Sequence, residues 1–500
     1  MLVESGPHET RVAILEHERL TELFIERHHQ QGIVGNIYKG RVSRVLPGMQ
    51  AAFVDIGVER DAFLYVSEVL GPPEDSYEED DELDDDPDHD EGPDEVLPPV
   101  EKSIDQLLRQ GQEVVVQVLK DAMPNKGARV STQVTLPGRS LVLLPGVPHL
   151  GVSRRIEDEE HREQIRARLE TVQPPGFGLI ARTAGADADE EELKADLDYL
   201  MRLHERLDER AAQVSAPTLL HRDLDIALRV VRDELNEDFS VVWVDGEDTY
   251  LRLHDFIEQI KPSMLSRLRL DEDDSRLFER FELDKEIEAA LDTKVWLKSG
   301  GHIVIHPTEA LVSIDVNTGR YVGRHNLEDT VLTTNLEAVR EIVRQIRLRN
   351  LGGIIVIDLI DMVEENHRTE VFEALEKELA RDRSKNKVLE ISEFGLVQLT
   401  RKRSRPSLER LLSSPCPYCR GTGRIKSLTT TALDLRRRLL AARGRLSDGE
   451  ILLRAHPDLA QALQREERPI LDELETQLRS TILIQSEPEM HRERYEFSEL

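Results

Sequence analysis

The apolar positions follow two rhythms. Residues 11–16 (RVAILE) and much of 36–70 alternate in short runs, broken by turn signals at Pro47-Gly48 and Asp55-Ile56-Gly57. That pattern predicts strands, and several short strands so closely spaced predict a small barrel. Strand pattern resumes at 113–121 (EVVVQVLKD), so the barrel is expected to be one domain with an insertion at 71–100. Residues 133–190 mix short strands (SLVLLPG, FGLIARTAG) with a charged helix. Leu193, Leu197, Leu200, Leu203 and Leu207 then recur at helical spacing. Residues 218–288 read as α/β, and a hairpin of two strands follows from 289. A long helix over NLEAVREIVRQIRLRN is predicted to end at Gly352-Gly353. The strand IIVIDLI and a helix at 367–381 come next.

Composition narrows the class. With 500 residues, 39% hydrophobic and 33% charged, the chain is expected to fold as several globular domains. Its longest apolar run, GGIIVIDLI, is far short of the ~20 residues that span a bilayer. The N-terminal stretch carries acids early and has no apolar core, which argues against a secretion signal. Two cysteines in one CxxC rule out a disulfide framework and point to a reducing cytoplasm. The net charge of −32 argues against nucleic acid, but residues 71–100 hold 15 acids and no Lys or Arg. Without them the balance is 83 acids to 66 bases. That segment is expected to be a disordered loop, and a local basic groove elsewhere remains compatible with RNA.

Side chains at i and i+2 of a strand share a face. ALVSIDVN therefore places Ser313, Asp315 and Asn317 on one face and Val312, Ile314 and Val316 on the other. GGIIVIDLID is apolar in both phases, as in a strand buried on both faces, with Asp358 near its end. Two carboxylates at the ends of neighbouring strands suit Mg²⁺; turn capping or pairing with Arg is the competing reading. Cys416 and Cys419 supply two of the four ligands a structural zinc needs. A histidine pair, a second chain, or no metal at all remain open at this point. OB barrels stack single-stranded bases on aromatics beside basic groups. Phe53, Phe63 and Lys126 fit that pattern, while Phe53 and Phe63 also read as barrel core. The run TRKRSR (400–405) reads as a phosphate track or a solvated face.

Three blocks resemble the catalytic half of the ribonuclease E/G family: SGGHIVIHPTEALVSIDVNTG, TTNLEAVREIVRQIRLRNLGGIIVIDLIDM and CPYCRGTG. NIYKGRVSRVLPGMQAAFVDIGVERDAFL resembles its S1-type barrel, and RTAG (182–185) its 5′-sensor motif. The resemblance runs from about residue 11 to about 425, and the last 75 residues match only loosely. It implies a multidomain α/β and β fold. Residues 1–31 with 219–288 would form an RNase H-like domain, and 32–132 an S1-type OB domain. Residues 133–218 would form a 5′-sensor domain and 289–406 a DNase I-like catalytic domain. A zinc link at 407–426 and a small C-terminal domain at 427–500 would follow. At 500 residues, with no long C-terminal scaffold, the chain is expected to lie nearer the shorter, ribonuclease G-like members.

The implied activity is Mg²⁺-assisted endonucleolytic hydrolysis of single-stranded RNA, leaving 5′-phosphate and 3′-hydroxyl ends, in rRNA processing and mRNA decay. By resemblance, Asp315 and Asp358 hold Mg²⁺ and Asn317 assists; Phe53, Phe63 and Lys126 contact RNA. Gly138, Val142, Arg182 and Thr183 form a 5′-monophosphate pocket. Cys416 and Cys419 share one Zn²⁺ with the same pair of a second protomer, giving a homodimer, with pairing into tetramers left open. One departure is visible: the family's DRxR-like block is DRSK here, so Lys385 stands where Arg is usual. Lys keeps the charge but loses the bidentate fork. The rival readings are an RNA-binding protein without catalysis and a DNA-directed nuclease of the same fold.

Overall fold

Alternating apolar residues build the first sheet. β1 (Leu2–Ser5), β2 (Glu9–Glu16) and β3 (Arg19–Arg27) form an antiparallel meander. Val3, Val12 and Ile14 point into a core with Val230 and Val231 of the helix Ile226–Glu234. The chain then builds the barrel from β4 (Ile37–Leu46), β5 (Ala51–Asp55), β6 (Ala62–Tyr65), β7 (Glu113–Lys120) and β8 (Arg129–Ser131). β4 pairs with both β5 and β7, and β8 joins β6 to β7, so the five strands close on themselves in an OB-like barrel. Ala52, Val54, Ala62, Leu64 and Val118 fill its interior.

β9 (Leu136–Pro137), β10 (Leu141–Pro145), β11 (Leu150–Val152) and β12 (Phe177–Ala181) make a four-stranded sheet in the order β11-β12-β10-β9. The helices Glu159–Val172 and Glu190–Gln213 pack on it through Ile165, Leu169, Leu193, Leu197 and Leu200. β13 (Thr218–His221) returns to pair with β4. β14 (Val242–Asp245) and β15 (Leu268–Asp271) complete the first sheet in the order β15-β14-β1-β2-β3, with β14 parallel to β1. One sheet is thus assembled from two distant parts of the chain.

A six-stranded sheet follows. Its strands are β16 (Lys294–Trp296), β17 (His302–Pro307), β18 (Leu311–Asn317), β19 (Gly353–Asp358), β20 (Asn386–Val388) and β21 (Leu396–Arg401), ordered β16-β17-β18-β19-β21-β20. The expected hairpin is therefore a three-stranded meander, β16-β17-β18. The helix Leu327–Leu348 crosses from β18 to its parallel neighbour β19, and the helix Glu365–Leu379 follows. Ile303, Ile305, Ile314, Val316, Ile355 and Ile357 share one core with Val339, Ile342, Val371 and Leu375 of these helices.

Two expectations need correction here. β19 is not buried on both faces, because Ile354 is 51% exposed while Ile355 and Ile357 are fully buried. The core lies on one side of the sheet only. The long helix begins at Leu327, well before Asn335, and its left-handed cap is Asn350 (φ 46°), not Gly352-Gly353. Asn tolerates that conformation, and the Leu351 N–H closes the end by donating to the Ile346 carbonyl at 2.9 Å.

This computed structural model describes residues 1–70, 103–122, 126–153, 156, 158–186, 188–273, 276–319, 327–392, 394–403, 405–445 and 449–500. The acidic stretch 71–100 lies outside them. The chain divides into two compact units, Met1–Leu411 and Leu412–Leu500. The second unit holds β22 (Glu450–Ala455), β23 (Thr481–Ser486) and β24 (Tyr495–Glu499), ordered β23-β22-β24. Helices Leu428–Ala442, Pro457–Gln464 and Arg468–Leu478 pack on that sheet. Among the described residues, no helix is long and apolar enough to cross a membrane.

Candidate functional site

The six-stranded sheet has one face under helices and one open. On β18, Val312, Ile314 and Val316 are buried, so Ser313, Asp315 and Asn317 take the open face. The parallel register sets Asp315 directly beside Asp358 of β19. Neighbouring strands run about 4.8 Å apart, which brings the two carboxylates together. The Asn317 side-chain amide donates to Asp315 Oδ2 at 2.7 Å and orients it. Partial burial, and then the charges of Asp315 and Asp361, push the Asp358 carboxyl up from its usual value. Two oxygen-rich, mutually repelling groups open to solvent suit a hard divalent cation, which relieves the repulsion.

The surroundings hold this pair in place. Asn335, fully buried in the long helix, donates to the Ile360 carbonyl at 2.8 Å and accepts from the Ile360 N–H at 3.1 Å. That clamps the chain two residues beyond Asp358. Glu337, on the same helix, accepts from the Lys298 and Ser299 N–H groups and pins the β16–β17 turn. A Cβ on Gly319 would lie 1.9 Å from the Gly300 carbonyl oxygen, so the two glycine-bearing turns depend on their close approach. Neither Asn335 nor Glu337 stands out in the sequence, since each occupies an ordinary helical position.

Lys385 is not brought to the acid pair. Lys387 pairs with Thr400 on β21, whereas Asp358 pairs with Leu396, so the DRSK block lies at the opposite end of these strands. Lys385 lies opposite Lys402, six residues along β21 from Leu396, about 20 Å from the acid pair. Arg383 of that block reaches the other way, donating to the Glu234 carbonyl at 3.0 Å and pairing with the Glu234 carboxylate at 2.8 Å. The TRKRSR run is also partly internal. Arg401 forms a buried two-pronged pair with Asp382 at 2.6 and 3.1 Å. Arg405 stacks 3.6 Å from the Phe24 ring centroid and donates to the Leu23 carbonyl.

The four residues expected around a 5′ phosphate do come together. Arg182, at the end of β12, donates to the Gly138 carbonyl and to Asp233, each at 2.7 Å. Val142 lies on β10, paired with Ile180 of β12. The Thr183 hydroxyl is 3.2 Å from that of Ser153. Buried Asp196 shapes the turn before β10 by accepting from the N–H groups of Arg139, Ser140 and Leu141. A Cβ on Gly138 would sit 2.6 Å from that carboxylate. Burial acts to raise Asp233, but Arg182 and Arg232 outweigh it and hold the carboxyl well below its ordinary range. Asp233 and Arg139 are additions the sequence did not suggest; Arg139 Nη1 is buried with no hydrogen-bond partner among the described residues.

On the barrel, Phe53 and Phe63 are partners across β5 and β6, with rings edge-to-face at 5.2 Å. They are half-buried, while Ala52, Val54, Ala62 and Leu64 fill the interior. Both rings therefore lie on the outer face, and the barrel-core reading fails. Tyr65 extends the row at 4.6 Å from Phe63. A cleft of about 390 Å³ opens there, lined by Ser43, Arg44, Phe53, Arg60, Asp61 and Gly127. Lys126 is exposed next to it in sequence, where Gly127 packs on the Asp61 carbonyl.

In the second unit, Cys416 is exposed and Cys419 half-buried. The N–H groups of Cys419 and Tyr418 donate to the Cys416 sulfur and pull its thiol down, which favours the thiolate a metal needs. Tyr418 stacks on His491 at 4.0 Å, and its hydroxyl accepts from the Arg492 N–H. Both ring nitrogens of His491 are engaged, with the Tyr418 carbonyl and the Glu493 N–H. The CxxC precedes the first helix by a loop and does not lie between a strand and a helix of the sheet.

The ribonuclease E/G family model matches residues 135–404, and a model described as the RNase E/G thioredoxin-like domain matches 415–500. Ribonuclease G of Escherichia coli K12 is 41% identical over 496 residues, covering 99% of this chain and 98% of the relative. The chain belongs to the ribonuclease E/G family. Ribonuclease G of Haemophilus influenzae is 38% identical with the same coverage of both chains. Ribonuclease E of E. coli K12 is 34% identical over 94% of this chain but only 43% of its own length. The likeness thus continues through the C-terminal unit, beyond the limit near residue 425 that the motifs marked. Those last residues carry no compact motif, only a strand and helix pattern spread over the whole unit.

Proposed function

We propose that this endoribonuclease cuts single-stranded RNA on the open face of the six-stranded sheet, with Mg²⁺ held by Asp315 and Asp358. The direct register of those two carboxylates carries the reading. Bound Mg²⁺ supplies charge neutralisation at the phosphate and a more acidic water. Asn317 keeps Asp315 turned outward, and Asn335 fixes the strand end that bears Asp358. Hydrolysis leaves 5′-phosphate and 3′-hydroxyl ends. Phe53 and Phe63 stack bases on the barrel, with Lys126 beside them. Arg182, Thr183, Gly138 and Val142 receive a 5′-monophosphate, with Asp233 orienting the guanidinium. Lys385, opposite Lys402 and far from the acid pair, is given no part in the cleavage step. The domain reading assigns the first sheet to an RNase H-like domain and the six-stranded sheet to a DNase I-like one.

Cys416 and Cys419 hold a Zn²⁺ shared with the same pair of a second protomer, which makes a homodimer. The engaged nitrogens of His491, which stacks on Tyr418 between the two cysteines, favour ligands from a partner over a single-chain site. The setting is cytoplasmic, and the roles are rRNA processing and mRNA decay. The deciding experiment is cleavage of a defined RNA with end-group mapping. Asp315→Asn and Asp358→Asn should each lower kcat by orders of magnitude with the fold intact. Near-wild-type cleavage by either variant would remove the metal assignment.

A further inference from the structure

Trp296 is exposed on the edge strand of the sheet that carries the acid pair, 66% open to solvent. So much exposed aromatic surface is costly in water unless something covers it. Registers across the sheet fix which face it occupies. Trp296 pairs with His302, and His302 pairs with Asn317. Lys294 pairs with Val304, Val304 with Asp315, and Asp315 with Asp358. Paired residues share a face, so Trp296, Lys294, Asn317 and both aspartates line the same open surface. Trp296 stands two strands across and two residues along from Asp315, about 12 Å away. That spans roughly three to four nucleotides at the stacked spacing of about 3.4 Å, and fewer in an extended strand.

A cation stands beside the ring. Lys294 Nζ lies 4.1 Å from the Trp296 ring centroid, and the His302 ring, 5.3 Å away, flanks it. A cleft of about 490 Å³ adjoins the same edge strand from the helix-covered side, where Arg19 pairs with Glu341 and Arg344 with Glu341 and Glu286, so the open face draws its positive charge from Lys294. We propose that Trp296 is a stacking platform for a base close to the scissile phosphate, with Lys294 swinging from the ring to a neighbouring phosphate. This inference rests on the acid pair being the cleavage centre. It assigns the site a positioning residue that sets which nucleotides are favoured near the cut. The barrel aromatics lie on a different sheet.

The test uses the full chain on a single-stranded RNA with one mapped cut. Trp296→Ala should raise KM roughly 5- to 150-fold, the range expected for one lost base stack. The loss should fall in KM rather than kcat, and Trp296→Phe should restore most of it. A set of substrates, each with one abasic nucleotide, then locates the base. At one position near the cut, the abasic substrate should raise the wild-type KM by the same factor and add nothing in Trp296→Ala. An unchanged KM in Trp296→Ala would overturn the proposal. So would a raised KM with the wild-type abasic profile intact, because Trp296 would then act only on the fold. Asp315→Asn keeps the two readings separate: if that variant stays active, the acid-pair reading fails, while the abasic profile still judges Trp296 by itself.

Discussion

Replacing Asn335 by Ala perturbs the six-stranded sheet without touching either aspartate. The Asn335 amide makes two hydrogen bonds to the backbone of one residue, Ile360, and is fully buried. Truncation leaves the Ile360 N–H and carbonyl without these partners, and each orphaned group costs about 1–3 kcal/mol. The expected loss is about 2–6 kcal/mol, concentrated where the chain leaves β19. Hydrogen exchange at the Ile360 amide reads this directly: its opening free energy should fall by that amount, while amides in the first sheet stay protected. Asp358 lies two residues upstream, so its carboxylate should lose its fixed position, and a shift of about 1 Å can cost about 100-fold in rate. The fall should appear in kcat, with little change in RNA affinity. An Ile360 amide that exchanges as in wild type, together with an unchanged kcat, would refute the claim that Asn335 holds the site.

Breaking the buried Asp382–Arg401 pair should be among the most damaging changes in the sheet. Asp382→Ala strands a guanidinium that is 4% exposed and should cost about 3–5 kcal/mol, measurable by denaturant titration. Arg182→Gln should erase most of the advantage of 5′-monophosphate over 5′-hydroxyl RNA while sparing the 5′-hydroxyl substrate; an unchanged ratio would dismiss the pocket. Asp233 is held below its ordinary range, so it adds stability in full above about pH 4, and that stability is lost as pH falls through the depressed value. Asp233→Asn should flatten this acid limb, as followed by urea midpoint against pH. For the zinc site, elemental analysis with light scattering should give one zinc per two chains, and Cys416→Ser should release the metal and weaken the dimer. A ratio of one zinc per chain would rule out sharing.

What the sequence disclosed, and what it hid, follows from how far apart the partners lie. Period-two alternation was enough to put Asp315 and Asn317 on one face, because that relation is local. The neighbour relation of Asp315 and Asp358 depends on a parallel crossover, which spacing cannot show; resemblance supplied the pairing. IIVIDLI looked buried on both sides, since an apolar residue such as Ile354 on an open face carries the same letter as one in a core. Phe53 and Phe63 were ambiguous for a related reason. A barrel filled by Ala52 and Ala62 leaves no room inside for rings, but sequence alone does not say which phase faces in. The basic run 400–405 looked like surface because its partners are far away in sequence: Asp382 for Arg401, and Phe24 for Arg405. Trp296 went unremarked because β16 is only three residues long and shows no periodicity.

The split first sheet has a consequence for how the chain is made. β1 sits inside that sheet, between β2 and β14, yet β14 begins only at Val242. Ribosomes add about 5–20 residues per second, so β1 to β3 wait roughly 10–50 s before β14 emerges. Throughout that interval the outer edge of β1 offers unpaired N–H and carbonyl groups beside the apolar pair Leu2 and Val3. The barrel and the four-stranded sheet lie between the two halves and can close meanwhile, with β13 adding to β4 just before β14 is made. The nascent chain therefore carries finished inner modules flanked by an open strand edge. Its time of greatest exposure to aggregation and to chaperones falls before a single residue of the six-stranded sheet has been synthesised.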